Sequence, residues 1–263
     1  MKETTELQPL RFLPLLVLAM LVNVLAQTVH EMGHHMVYQV MGHEPVWAFT
    51  KVVQLSEPPT NPAEWVEITN PDNSSNWLKV GSLPSGKAEK SLAAAAGPLA
   101  GLLCAMLGVL FAWRSKKITW KQIWLTFSLA SSLVAVLYYL RSPMRTGGDE
   151  YDIAVQLGIA KSFIEIPLAL AFFACLSFAL RELPSWHIRL KWLGTTLLGS
   201  IITGLPMAIA DPFLIAQVDA GNPWFQPVIG YSLPVFVVIG LTFLGVWVWS
   251  GWQDNLNTEY LGK

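Results

Sequence analysis

Residues 12–41 read FLPLLVLAMLVNVLAQTVHEMGHHMVYQVM. The run 12–29 carries no charged side chain. A helix crosses the bilayer core with about 20 apolar residues, so this stretch predicts a transmembrane helix. Its last part then places His30, Glu31, His34 and His35 on the same helix. Ionisable groups are costly inside a membrane and mark functional positions there. The stretch therefore sets two expectations: a membrane protein, and a polar site built into its first span.

The rest of the chain agrees with the first expectation. Five further apolar runs follow, at 92–113, 120–140, 163–180, 192–210 and 231–252. Only 13% of the 263 residues are charged, against about 25% in soluble domains. The predicted fold is an all-α polytopic membrane protein of about six transmembrane helices. The longest connection, 42–90, is rich in Pro, Asn and Ser. It contains VWAFTKVVQL, WVEIT and NWLKV, short strand-like pieces that predict a strand-rich segment between the first and second spans. No internal repeat is evident, and 1–263 reads as a single domain. The net charge of −1 gives no footprint for nucleic acid. Cys104 and Cys175 are too few for a disulfide framework or a cysteine zinc site, and read as small buried apolar residues. Residues 1–27, with Lys2 and Arg11 before an apolar core, imitate a signal peptide. The apolar pattern runs on through Val29 with no small-x-small cleavage motif, so the segment is read as retained.

Positive charge in short connections sets orientation. Connection 114–121 carries Arg114, Lys116, Lys117 and Lys121, and 181–191 carries Arg181, Arg189 and Lys191. Connection 211–230 has neither Lys nor Arg. The expectation is a multi-pass protein, in the cell membrane, with both termini cytoplasmic and with 42–90 and 141–162 outside.

His30 and His34 stand four residues apart, about 40° apart around a helix. Two imidazoles so placed reach one Zn²⁺ at about 2.1 Å. Glu31 lies about 100° round the helix from His30. It can face the open side of the metal without ligating it, as a general base for water requires. His35 points away from the ligand face, and His43 and His187 read as ordinary interfacial or loop residues. A catalytic zinc needs a third protein ligand, and no further histidine is placed to supply it. TGGDEYD, residues 146–152, offers Asp149, Glu150 and Asp152 after a flexible Gly147–Gly148 pair. The outer ends of the first and third spans bring this segment and the histidines to one side of the membrane. AAAAGPLAG, residues 93–101, has Gly97 and Gly101 at small-xxx-small spacing, which permits close helix packing.

Together these residues resemble the site-2 protease family of intramembrane zinc metalloproteases. His30-Glu31-Met32-Gly33-His34 matches the family's H-E-x-G-H. Ala96-Gly97-Pro98-Leu99-Ala100 matches its A-G-P-L stretch, with Gly101 where the family often has Asn. Asp149 matches its later aspartate, followed here by Glu150 rather than Gly. The resemblance spans 20–155 in order. It implies Zn²⁺ held by His30, His34 and Asp149, with Glu31 as general base. It also implies cleavage of a peptide bond in or near a transmembrane segment of a membrane-protein substrate within the lipid bilayer. The strand-like pieces of 42–90 are suited to pair with an unwound substrate.

Three other readings compete with it. A di-iron desaturase or hydroxylase draws about eight histidines from three boxes, and this chain has five. A catalytically inactive, protease-like membrane scaffold would not need an intact His30, Glu31 and His34. A transporter would suit Glu165 just before Pro167, although Lys161 stands at the i,i+4 position to pair with it.

Overall fold

The computed structural model describes residues 10–69, 73–144 and 147–261. Lys2 and Thr146, which entered the sequence reading, lie outside the described residues. The described residues form seven α-helices: α1 Phe12–Val40, α2 Lys87–Arg114, α3 Ile118–Arg141, α4 Asp149–Leu157, α5 Ser162–Arg181, α6 Trp186–Asp219 and α7 Leu233–Leu261. All but α4 are long and apolar enough to cross a membrane, α7 through Asn255. The protein is an all-α polytopic membrane protein with small strand pieces. Leu103, Met106, Phe173, Phe178, Leu205, Ile209, Phe243 and Trp247 all point outward and are exposed. Water would penalise such a surface, whereas acyl chains solvate it.

Helix α1 is central and packs against α2, α3, α6 and α7. Leu15, Leu18 and Val22 of α1 meet Leu125 and Leu129 of α3, Leu176 of α5 and Trp192 of α6 in the main apolar core. Lipid is as apolar as leucine, so association depends on close packing of small residues. Gly33 of α1 lies against Ala96 and Ala100 of α2, Gly108 of α2 against Ser128 of α3, and Gly199 of α6 against Ala19 of α1.

The strand-rich expectation holds. Strands β1 Gln54–Leu55, β2 Val66–Thr69 and β3 Ser75–Leu78 form an antiparallel sheet in the order β1-β3-β2. A second hairpin, β4 Pro227–Val228 with β5 Tyr231–Ser232, was not foreseen. Its turn uses Gly230 at φ +79°.

The largest departure concerns α6. The expected span 192–210 is extended to Trp186–Asp219, so 211–219 is helix rather than connection. Pro206 and Pro212 lie inside it, and such breakers are tolerated in membrane helices because neighbours satisfy the freed groups. At its start, Ser185 caps the first turn by accepting from Ile188 N at 3.3 Å.

The connections fall into two sets at opposite ends of the bundle. At one end, Thr60 N donates to Asp219 at 3.1 Å, Phe49 N to Asp211 at 2.8 Å and Ser232 N to Trp47 O at 3.1 Å. These bonds tie the three-stranded sheet to the end of α6 and to the β4–β5 hairpin. At the other end, Lys121 pairs with Glu182 at 2.9 Å. There too Thr119 donates to Asp254 at 2.6 Å and Lys191 to Leu10 O at 2.7 Å.

Candidate metal centre

The C-terminal half of α1 carries His30 and His34 toward α2 and α4. His34 Nδ1 lies 2.7 Å from the carbonyl oxygen of Ala93 on α2. That bond makes Nδ1 the protonated nitrogen and leaves Nε2 free to bind a metal, the role outer partners play in metal sites. Gly97, one turn beyond Ala93, faces the same ring; a methyl group there would overlap the imidazole. Gly101 continues this face opposite His30. The small-residue stretch thus does more than let two helices approach: it houses and orients the histidines. Trp47 stacks on His34, with ring centroids 6.0 Å apart and planes at 15°.

Asp149 is the first residue of α4. Gly147 and Gly148 precede it at φ +109° and +100°, conformations only glycine adopts readily. Its Oδ2 lies 3.4 Å from His30 Nε2 and 3.4 Å from His34 Nε2. The two Nε2 atoms are themselves 3.4 Å apart. The three donors form an equilateral triangle. A regular tetrahedron of that edge has its centre about 2.1 Å from each corner, the bond length of Zn²⁺ to imidazole and carboxylate. Two neutral imidazoles and a carboxylate, with a fourth corner left for water or substrate, are also the donor set of a catalytic rather than a structural zinc site. The residues fit the ion.

Glu31 is buried, and Gln27 one turn earlier donates to its Oε1 at 2.7 Å. Glu31, His30, His34 and Asp149 line one cavity of about 890 Å³. The same cavity is walled by Thr50, Val52 and Gln54 of the first strand region and by Ile68 and Thr69 of β2. The site therefore opens toward the sheet and not toward the opposite end of the bundle.

The other candidates take different places. Asp152 lines the cavity but does not join the triangle. Partial loss of hydration and the carboxylates of Asp149 and Glu150 push its carboxyl up to about 6. Glu150 turns away from the triangle, as its helical position predicts, but it is fully buried rather than idle. Tyr138 donates to it at 2.9 Å and Ser142 at 2.7 Å, and Lys161 lies 3.4 Å away. Glu165 pairs with Lys161 at 3.0 Å, the i,i+4 pairing that the sequence offered. His35 is buried against the Tyr231 ring. His43 lies 2.6 Å from Ser82 Oγ, and His187 falls in the first turn of α6. Sequence reasoning missed the Ala93 carbonyl, the Trp47 stack and the Gln27 contact. Only the last had a local signal, the i,i+4 spacing of Gln27 and Glu31.

The chain matches no protein-family model, no curated protein and no solved structure.

Proposed function

We propose that this protein is an intramembrane zinc metalloendopeptidase of the site-2 protease type, cleaving a peptide bond in or near a transmembrane segment of another membrane protein. The observation that carries the reading is the 3.4 Å triangle of His30 Nε2, His34 Nε2 and Asp149 Oδ2, with an unligated carboxylate, Glu31, in the same cavity.

His30, His34 and Asp149 would hold Zn²⁺. Bound there, the ion supplies Lewis acidity that activates a water and polarises a carbonyl. Ala93 keeps His34 in the ligating tautomer. Gln27 occupies Oε1 of Glu31, which leaves Oε2 to take a proton from the attacking water and later return it to the leaving amine. The cavity runs from these groups to the edge of the sheet, so an extended stretch of substrate can lie along Thr50–Gln54 while its scissile bond reaches Glu31. A helical substrate must unwind first, since its amides are bonded within the helix. The basic end of the bundle is the cytoplasmic one on this reading. It places both termini in the cytoplasm of a cell-membrane protein and the site toward the outer face.

The test joins metal content to cleavage. Purified wild type should hold about one Zn²⁺ per chain, and His34→Ala should lose most of it. Glu31→Gln should keep the zinc and cleave single-span membrane peptides in proteoliposomes at least about a hundredfold more slowly. A wild type without zinc, or a Glu31→Gln variant that cleaves normally, overturns the reading.

A further inference from the structure

The backbone just before Asp149 does little to hold it in position. Gly147 and Gly148 precede it, both at positive φ, and paired glycines are the least rigid backbone available. Helix α4 itself is short, Asp149–Leu157. A metal ligand needs placement to within about 0.5 Å. Something beyond the two-glycine joint must hold the first turn of α4.

The next residue does so. Glu150 is 1% exposed, and a buried carboxylate is tolerable only where donors surround it. Three do, two from the end of α3 and one from the start of α5. Tyr138, near the end of α3, donates to Oε1 at 2.9 Å and lies 3.2 Å from Oε2. Ser142, just after α3, donates at 2.7 Å. Lys161, at the start of α5, lies 3.4 Å away. Lys161 is itself fixed by Glu165 at 3.0 Å and by the carbonyl of Ser142 at 3.1 Å, and Ser142 Oγ also contacts Glu165, its one proton shared between the two carboxyl groups. The Tyr138 hydroxyl also occupies the space where a side chain on Gly148 would sit. The glycine is therefore required for this contact as well as for its backbone angle.

We propose that Glu150 is the positioning residue of the third metal ligand: through Tyr138, Ser142 and Lys161 it pins the first turn of α4 to α3 and α5, so that Asp149 faces His30 and His34. Adjacent helical residues point about 100° apart. Glu150, anchored to the end of α3 and the start of α5, thus directs Asp149 toward His30 and His34. This inference rests on the metal-centre reading above. It adds that the acid beside the ligand, which touches no metal, sets the affinity of the site.

A double-mutant cycle separates this role from a general structural one. Zinc affinity is measured by chelator competition in wild type, Glu150→Ala, Tyr138→Phe, Asp149→Ala and the two doubles with Asp149→Ala. Glu150→Ala should weaken zinc binding about 10–100-fold, the usual cost of losing an outer partner of a ligand. Tyr138→Phe, which removes one donor and keeps the ring, should show a smaller loss. In the Asp149→Ala background neither change should weaken binding further, because the residue they position is gone. Glu150→Gln, which keeps an acceptor for Tyr138 and Ser142, should recover part of the loss. His34→Ala serves as the control for the site itself: if it binds zinc like the wild type, the metal reading fails and not this one. If His34→Ala loses zinc while Glu150→Ala and Tyr138→Phe bind like the wild type, the proposal is overturned. Equal losses with and without Asp149 also overturn it, since Glu150 would then act on the whole fold. Should Glu150→Ala not fold, the Tyr138→Phe pair decides alone.

Discussion

Gly97 faces the imidazole of His34 so closely that any side chain would overlap the ring. In an ordinary helix Gly→Ala gains roughly 1 kcal/mol. Here the gain in helix propensity and the loss of ring space oppose each other and can be read separately. Gly97→Ala should keep its helix content and thermal stability but bind zinc at least about tenfold more weakly, as the displaced ring loses its bond to Ala93. Circular dichroism and zinc titration on one sample check both halves. Wild-type affinity would show that α2 yields and that the glycine is not a spacer. The His30–His34 spacing was legible in the sequence because an i,i+4 relation is fixed by helix geometry alone. The Gly97–His34 relation was not: small-xxx-small spacing says that something packs closely, not which side chain it receives.

Helix α6 shows the same limit for an element. The expected span stopped at residue 210, yet the helix runs on through Asp211 and Pro212 to Asp219. Asp211 is 1% exposed. It accepts from Phe49 N at 2.8 Å, Thr50 N at 3.1 Å and Thr50 Oγ1 at 2.6 Å. The charge is buried because a turn from a distant segment brings it three donors, which no local pattern around 211 reveals. Asp211→Ala would leave those donors without their acceptor and should cost about 2–3 kcal/mol, measured by denaturation in detergent. It should also speed proteolytic nicking in 56–64, because the turn at 49–50 would no longer be latched to α6. A variant as stable and as protease-resistant as the wild type would show that the latch carries little. The strand pieces were legible for the opposite reason: β-branched and aromatic residues bounded by Pro, Asn and Ser carry their own signal.

On the scale of the molecule, six spans alternate and place their connections at two ends. The short basic connections lie at the end where Lys121 meets Glu182 and Lys191 meets Leu10. The sheet, α4 and the β4–β5 hairpin lie at the other, where the candidate metal centre opens. Positive charge keeps short connections in the cytoplasm. A reporter inserted after Gly86 should therefore read external and one after Lys117 cytoplasmic. The reverse pair would turn the molecule over and place the site at the cytoplasmic face, leaving the site geometry untouched.

Read alone, the sequence determined whatever depends on near neighbours along the chain. It showed that the chain spans a membrane about six times, that strands lie between the first two spans, and that His30 and His34 share a helix face with Glu31 beside them. These follow from length, apolarity and helical period, all local quantities. Among Asp149, Glu150 and Asp152 the residues by themselves left the third partner open. Tertiary structure alone brings the Asp149 carboxylate to 3.4 Å from both histidines, buries Glu150 among Tyr138, Ser142 and Lys161 and turns the Ala93 carbonyl onto His34. Each of these depends on how α1, α2, α3, α4 and α5 pack together. Close packing is a property of surfaces that meet only after the chain has folded, so no stretch of sequence holds it by itself.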